Sequence, residues 1–363
     1  MRRIILTTLA GLALVTPLAA CGSEATDEKS ASPPPPKPLT TGELIQRVRP
    51  SLGKVFVQTA LGEQVSGTGI VVDAAKGEML TSGHVVAGAR VTQIKFPGNS
   101  GRISAKVVGV KLCPDLALLK LDHVPEGIKA LPFGDSSDAK VGDELITMGY
   151  EGNARRWNQA TARAGTGIVG DVGLKSTDMG PAIGTTNSEF IQTDAPGNPG
   201  ESGGPAVNTD GEVVGIITAG NQAAEGQTYL LSSNVVKQAI PELENGSKGT
   251  GLETMPVQSL DMRALLYGLY AEDGLTRRGA NVLGSIAQKM GGMLVLSARP
   301  GSPADRHGFE LLDVITSQND VKVNTQNQAC RILGSSDIVK MRGYSLGEWG
   351  SLFDDFTRRV AVK

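Results

Sequence analysis

Gly197-Asn198-Pro199-Gly200-Glu201-Ser202-Gly203-Gly204-Pro205 is the stretch on which the reading of this 363-residue chain turns. A serine with glycines close on both sides lets the backbone turn tightly. Its hydroxyl is exposed while neighbouring amide N–H groups point to one place. Such N–H groups hold the oxygen of a carbonyl that has become tetrahedral and negative. Gly200-Glu201-Ser202-Gly203-Gly204 also fits the G-x-S-x-G elbow of an α/β sheet, which needs a strand before it, a helix after it, and Asp and His further on. Here Pro205 follows, then the hairpin signal Asn208-Thr209-Asp210-Gly211, and the only later histidine is His307. The serine belongs to a β scaffold.

Outward from it, short apolar stretches of strand type are divided by glycine and polar turns. A first set comprises Lys54–Thr59, Thr68–Val72, Val91–Phe96, Ile103–Val110 and Leu116–Leu121. A second comprises Glu144–Gly149, Gly167–Val169, Phe190–Thr193, Ala206–Val207 and Val213–Thr218. Many short strands without an intervening long helix predict a barrel or sandwich, and two sets predict two barrels. A short helix precedes them over Thr41–Pro50, with Thr41 as cap and Leu44, Ile45 and Val48 on one face. Another follows over Ser233–Ala239 and ends near Pro241, and the polar, glycine-bearing run Glu244–Gly251 reads as a domain boundary.

The C-terminal part has a different texture. Met293–Ser297 predicts a strand, Ser302-Pro303-Ala304 the start of a short helix ending at Gly308, and Asp313–Ser317 with Asp320–Val323 a hairpin. Thr325 caps a helix whose Ala329, Ile332 and Leu333 share a face, and Asp337–Met341 and Val360–Val362 supply further strands.

The serine needs a base, and the chain has three histidines. His84, in Thr81-Ser82-Gly83-His84-Val85-Val86, stands at the end of a strand-like run beside small residues that leave it room. A neutral imidazole there accepts the serine proton and later gives it to the leaving amine. Asp115, in Cys113-Pro114-Asp115-Leu116, begins an apolar strand, where a carboxylate needs a partner. An imidazole N–H satisfies it and fixes the tautomer that leaves the other ring nitrogen free. A lone aspartate there would read as a turn residue, but His, Asp and Ser together predict a serine peptidase.

That constellation resembles the HtrA/DegP branch of trypsin-like serine peptidases over nearly everything from about residue 41 onward. Its carriers are Gly67-Thr68-Gly69, Thr81-Ser82-Gly83-His84-Val85-Val86, Asp115-Leu116-Ala117-Leu118-Leu119-Lys120, and Phe190-Ile191-Gln192-Thr193-Asp194-Ala195 followed by the serine loop, with Gly165-Thr166-Gly167-Ile168-Val169 in support. The resemblance implies a mostly β fold, a chymotrypsin-like double β-barrel followed by an α+β PDZ domain, with the catalytic groups in the cleft between barrels. His84 and Asp115 come from the first barrel and Ser202 from the second; backbone N–H groups of Gly200 and Ser202 form the oxyanion hole. The family usually has asparagine where this chain has Glu201, whose carboxylate would oppose a developing negative charge if it pointed inward. No acidic residue lies in Ala195–Gly200, and Gly215-Ile216-Ile217-Thr218 is apolar as a pocket wall, which points to small or aliphatic side chains before the cut.

Gly301-Ser302-Pro303-Ala304, Gly308-Phe309 and Asp313-Val314-Ile315 carry the resemblance to a PDZ module, which adds an extended peptide to a sheet edge. It implies that amides near Tyr267-Gly268-Leu269 receive the C-terminal carboxylate of a peptide. Leu311-Leu312 departs from the usual Pro-Gly, so that turn is expected to differ. The alternative is a structural appendage without peptide affinity.

At the N-terminus, Arg2 and Arg3, an apolar run from Ile4 to about Leu18, and Leu18-Ala19-Ala20-Cys21 form a secretory leader over residues 1–20. Cysteine directly after Leu-Ala-Ala resembles the bacterial lipoprotein box, in which Cys21 is lipidated and anchors the protein on the extracytoplasmic side of a membrane. Residues 21–40, with the run Pro33 to Pro36, are a disordered tether. The expected domains are then a protease over 41–245 and a PDZ domain over 255–363. Removing residues 1–20 takes two of 35 basic residues and none of 37 acidic ones, so no basic stripe survives and nucleic acid is not an expected partner. Cys113 and Cys330 could pair in an oxidising compartment, but two buried free thiols are the plainer expectation. Without paired-cysteine, His-Glu-x-x-His or phosphate-loop motifs, no metal or other cofactor is expected.

The partners are unfolded polypeptides, peptide C-termini and the membrane. Family members often assemble as homo-trimers, though few aromatic residues near the N-terminal helix point to that packing. The function expected is an envelope endopeptidase removing misfolded or mislocalised proteins. Its rival is a non-catalytic lipoprotein that binds peptides or misfolded chains without cutting them.

Overall fold

The computed structural model describes residues 39–152, 161–175, 188–220, 227–246, 249–346 and 352–362. The leader, Cys21 and the proline run lie outside them. Helix α1 (Thr41–Val48) is capped by Thr40 in a reciprocal box: the Thr40 hydroxyl accepts from the Glu43 N–H, and the Glu43 carboxylate accepts from the Thr40 N–H at 2.8 Å. The expected cap was Thr41. Glutamate three residues on selects the earlier threonine.

Strands β1 (Leu52–Thr59), β2 (Gln64–Asp73) and β3 (Glu78–Thr81) come first, followed by the single turn α2 (Gly83–Val86). With β4 (Ala89–Lys95), β5 (Ile103–Lys111) and β6 (Leu116–Leu121) they close a barrel in the order β1-β2-β3-β6-β5-β4. A second barrel, in the order β10-β11-β12-β9-β8-β7, is built from β7 (Glu144–Gly149), β8 (Arg163–Lys175), β9 (Glu189–Thr193), β10 (Pro205–Val207), β11 (Val213–Gly220) and β12 (Thr228–Ser232). Closure pairs every strand on both edges, so neither barrel offers an open edge. Helix α3 (Ser233–Glu244) runs through Pro241 instead of ending there. One core joins the barrels: Leu52, Ile70, Leu80 and Leu118 of the first cluster with Met148, Phe190, Ile216 and Leu231 of the second. That shared core fixes the two barrels against each other.

The remaining chain forms a sheet in the order β13-β14-β15-β17-β18, with β16 on β15. Its strands are β13 (Leu252–Pro256), β14 (Met293–Ala298), β15 (Asp313–Gln318), β16 (Val321–Lys322), β17 (Ile338–Ser345) and β18 (Asp354–Ala361). Its helices are α4 (Met262–Tyr270), α5 (Arg277–Met290), α6 (Pro303–Arg306) and α7 (Gln326–Gly334), the last capped by Thr325 as expected. Tyr267-Gly268-Leu269 lies inside α4. Its amides bond to carbonyls one turn back and are not available to a carboxylate, which corrects the expectation that they receive a peptide end. At Leu311-Leu312 the chain still turns, with Leu312 at φ 75° and the Asp313 N–H on the Glu310 C=O at 3.2 Å. Leucine holds a left-handed conformation that glycine adopts without strain.

The C-terminal core reaches the first barrel. Ala87, just past α2, belongs to the cluster containing Leu266, Leu294 and Val314, and Leu61 and Leu112 pack against it. A disulfide between Cys113 and Cys330 spans the same boundary, with Cα atoms 5.8 Å apart. The expectation of two free thiols is corrected: the fold brings the start of β6 against α7, residues 217 apart in sequence.

Candidate active site

The turn α2 follows β3 directly and presents His84 at the end of the first barrel, with half its side chain exposed. Asp115 enters β6 at φ 70°, a left-handed conformation that aspartate tolerates better than most side chains, and its carboxylate is largely buried. Three donors converge on it. Oδ1 accepts the His84 backbone N–H at 2.8 Å, while Oδ2 meets His84 Nδ1 at 2.8 Å and the Thr218 hydroxyl at 2.7 Å. An ionised carboxylate only accepts, so Nδ1 carries the proton and Nε2 presents a lone pair. Burial pulls the His84 imidazole down, but the charge of Asp115 and its hydrogen bond outweigh this and hold it above the ordinary value.

Ser202 sits at the mouth of the second barrel. Asn198-Pro199-Gly200-Glu201 is a turn closed by the Glu201 N–H on the Asn198 C=O at 2.9 Å, with Gly200 at φ 95°. Proline second and glycine third are what a type II turn requires. Gly203, at φ 88°, leaves no room for a side chain: a Cβ would lie 2.1 Å from the Thr68 carbonyl oxygen. The Ser202 C=O accepts from the Thr68 N–H at 2.9 Å, and the Gly203 N–H donates to the Ile217 C=O at 2.7 Å. The Ser82 hydroxyl, two residues from His84, donates to that same Ile217 carbonyl at 3.4 Å. Serine loop, α2 and β11 therefore meet at one point. Among the described residues no hydrogen bond links the Ser202 hydroxyl to the imidazole; in unliganded sites such bonds are often long and tighten on substrate.

Planarity of the peptide bond fixes where the loop's amides aim, since C=O and N–H of one trans unit point oppositely. The Pro199 C=O is held by the Gly152 N–H at 2.9 Å, and the Glu201 C=O by the Gly204 N–H at 2.9 Å. The Gly200 and Ser202 N–H groups point away from those anchors, and neither has a hydrogen-bond partner among the described residues. Glu201 is buried and turns back on its own turn, where its Oε2 accepts the Asn198 N–H at 2.7 Å. Burial pushes its carboxyl up, against the hydrogen bonds from Asn198.

Two residues beyond the sequence expectation enter the site. Thr218 was placed in an apolar pocket wall, yet its hydroxyl supports Asp115, and Ile216 and Ile217 are buried among the second barrel's core side chains. Thr68 stands in the sequence only as part of a glycine-flanked motif, and its hydroxyl donates to the Gly200 C=O at 2.9 Å.

A family model for the trypsin-like peptidase domain matches residues 67–216. The serine protease Do-like HtrA of Bacillus subtilis (strain 168) is 33% identical over 279 residues, 75% of this chain and 58% of that protein. The periplasmic serine endoprotease DegP of Salmonella typhimurium is 29% identical over 264 residues, 71% of this chain and 49% of that protein. The chain thus spans about half the length of these two relatives. Among solved structures, the HtrA-type protease AlgW with a tripeptide is similar in fold, with a TM-score of 0.51 at 21% identity over 89% of this chain and 97% of that one.

Proposed function

We propose that this chain, which carries a trypsin-like peptidase domain and is similar to HtrA- and DegP-type serine proteases, is an endopeptidase acting through Ser202, His84 and Asp115. The observation that carries the reading is the clasp of His84 by Asp115, which leaves Nε2 as a base beside the serine loop. In the proposed reaction Ser202 Oγ attacks the scissile carbonyl carbon as its proton passes to Nε2. The resulting oxyanion is met by the Gly200 and Ser202 N–H groups, whose directions are set by the anchored carbonyls of Pro199 and Glu201. The imidazolium, steadied by Asp115, then protonates the leaving amine, and water repeats the sequence on the acyl-enzyme.

The C-terminal sheet is proposed to bind extended peptides at β13, which pairs with β14 on one side and faces α7 on the other. A cavity of about 690 Å³ lies there, lined by Thr250, Leu252, Gln326 and Leu333 and by Leu112 and Cys113 of the first barrel. The proposed location is the cell envelope, outside the cytoplasm, with a lipid anchor at Cys21. The disulfide supports an oxidising compartment, and the Salmonella relative is named periplasmic. Misfolded or mislocalised envelope proteins are the substrates this implies.

Casein and a short chromogenic peptide test the reading, with Ser202→Ala as control. Turnover by the wild type alone, and a serine-directed phosphonate adduct on Ser202, are the expected results. Adduct on another residue, or equal turnover by both proteins, overturns the assignment.

A further inference from the structure

We infer that Lys54 is a positioning residue, whose ammonium group acts through two successive peptide units to aim and polarise the Gly200 N–H toward the oxyanion. The inference rests on the protease reading above and assigns a residue that reading does not use.

Lys54 lies in β1, opposite Thr68 of β2 and Lys95 of β4, with only 1% of its surface exposed. Its Nζ donates to the Glu151 C=O at 2.9 Å. That carbonyl and the Gly152 N–H belong to one trans peptide unit and point oppositely. The Gly152 N–H donates to the Pro199 C=O at 2.9 Å. The Pro199 C=O and the Gly200 N–H belong in turn to the next unit, so the direction passes on in the same sense. Ammonium, first peptide, second peptide and oxyanion site stand in one file. The two peptides meet closely: a Cβ on Gly200 would lie 2.2 Å from the Gly152 nitrogen.

The first barrel thereby steadies a loop of the second. Tyr150-Glu151-Gly152 follows the end of β7 and is tied to β1 and β2 at three points. Thr68 Oγ1 accepts the Tyr150 N–H at 2.8 Å, the Tyr150 hydroxyl donates to the Leu52 C=O at 3.0 Å, and Lys54 holds the Glu151 C=O. Burying an ammonium ion costs stability, and an apolar side chain would fill the same place at lower cost. What the charge adds lies at the carbonyl. A charged donor makes a stronger hydrogen bond than a neutral one, and bonds in series polarise one another. The pull on the Glu151 C=O makes the Gly152 N–H, and through it the Gly200 N–H, a better donor. An oxyanion gains more from that donor than a neutral carbonyl does, so the effect belongs in kcat and not in KM.

The head of the file can be discharged without a mutation. Burial, helped by the Arg102 charge, brings the Lys54 ammonium down to about 8, against the pull of the Glu151 carboxylate. That carboxylate also pairs with Arg163 at 2.7 Å. Burial pushes the Tyr150 hydroxyl far above this range, so it keeps its proton while Lys54 loses its charge.

The test compares wild type, Lys54→Met and Lys54→Arg in the full chain, with an internally quenched peptide as substrate and a peptide aldehyde as transition-state mimic. Ser202→Ala is run beside them. A silent wild type sinks the protease reading itself, whereas an active wild type leaves Lys54 to be judged alone. Removing a whole oxyanion donor costs about 10²–10³ in kcat, so slackening one in Lys54→Met is expected to cost about 10-fold near neutral pH. KM should stay within about two-fold, and aldehyde affinity should fall in step with kcat. Wild-type kcat should rise through the imidazole limb, then fall about five-fold to a lower plateau on passing about pH 8. Lys54→Met should show the rising limb alone. Should Lys54→Met lose the wild-type circular dichroism, Lys54→Arg takes its place, since guanidinium keeps its charge throughout and should abolish the alkaline fall. A Lys54→Met kcat within about two-fold of wild type, a loss carried by KM, a wild-type kcat that stays level through about pH 8, or an alkaline fall retained by the variants would overturn the inference.

Discussion

At the residue scale the balance of charge around His84 makes a pH prediction whose sign is fixed. Only neutral imidazole accepts the Ser202 proton, and Asp115 holds the ring above its ordinary value. Activity, as kcat/KM, should therefore rise with pH through a midpoint above the ordinary imidazole value of about 6.5. Asp115→Asn removes the charge that raises it, so the midpoint should move down while kcat falls by about 10⁴-fold. A pH–rate profile of both proteins checks this, and a midpoint unmoved by the substitution counts against the clasp. Glu201 gives a second case. Its carboxyl is pushed up by burial, so the folded chain binds that proton more tightly than the unfolded chain. Stability from this group is present at low pH and lost as pH rises through the folded value. Glu201→Gln keeps an acceptor for the Asn198 N–H and removes a charge near the oxyanion. Its melting midpoint should exceed wild type by about 2 °C at pH 7.5 and match it at pH 4. Its kcat should rise about two- to five-fold.

At the scale of the element, the N-terminal helix separates two readings of one sequence. The reciprocal bonds of Thr40 with Glu43 mean that Thr40→Ala should cost about 1 kcal/mol in chemical denaturation, whereas Thr41→Ala should stay within about 0.5 kcal/mol. Sequence alone offered two adjacent threonines, and only the spacing to Glu43 decided between them. The same contrast runs through the fold. The segments bearing His84, Asp115 and Ser202 were legible because each is a short run whose chemistry is local. Strand β12 was not, because it is buried along its whole length, which erases the alternation that marks a half-exposed strand. Helices α4 and α5 carry Gly268, Gly279 and Gly284, each of which weakens an isolated helix by about 1 kcal/mol. Their packing in one core, through Leu266, Ala280 and Ala287, supplies what their local propensity lacks. Thr68 and Thr218 were invisible as site residues for a related reason. Their roles lie in hydrogen bonds to Gly200 and to Asp115, 132 and 103 residues away along the chain.

At the scale of the whole molecule, the disulfide ties the segment leading into Asp115 to the helix that borders the proposed peptide groove. Cys113 stands two residues before Asp115, and Cys330 lies in α7, so one covalent bond spans both sites. It closes a loop of about 217 residues, and restraining so long a loop in the unfolded chain contributes about 5 kcal/mol. Cys330→Ser should unfold at markedly lower denaturant than the wild type under oxidising conditions. A dithiol reductant, which takes the place of the bridge by becoming a disulfide itself as both cysteines become thiols, should bring the wild type down to the variant and leave the variant unmoved. The first barrel and the C-terminal sheet also share Ala87, Leu61 and Leu112 as packing, and the Gly88 N–H donates to the Glu253 carboxylate at 2.7 Å. Those contacts should keep the two parts together in the reduced state, so the loss should appear in unfolding while Ser202 still reacts with phosphonate at native temperatures. Denaturation curves taken with and without dithiol, beside phosphonate labelling rates, separate these terms. If reductant leaves the wild-type curve where it was, the bridge does not hold the fold together, and the shared apolar contacts alone join the protease barrels to the sheet.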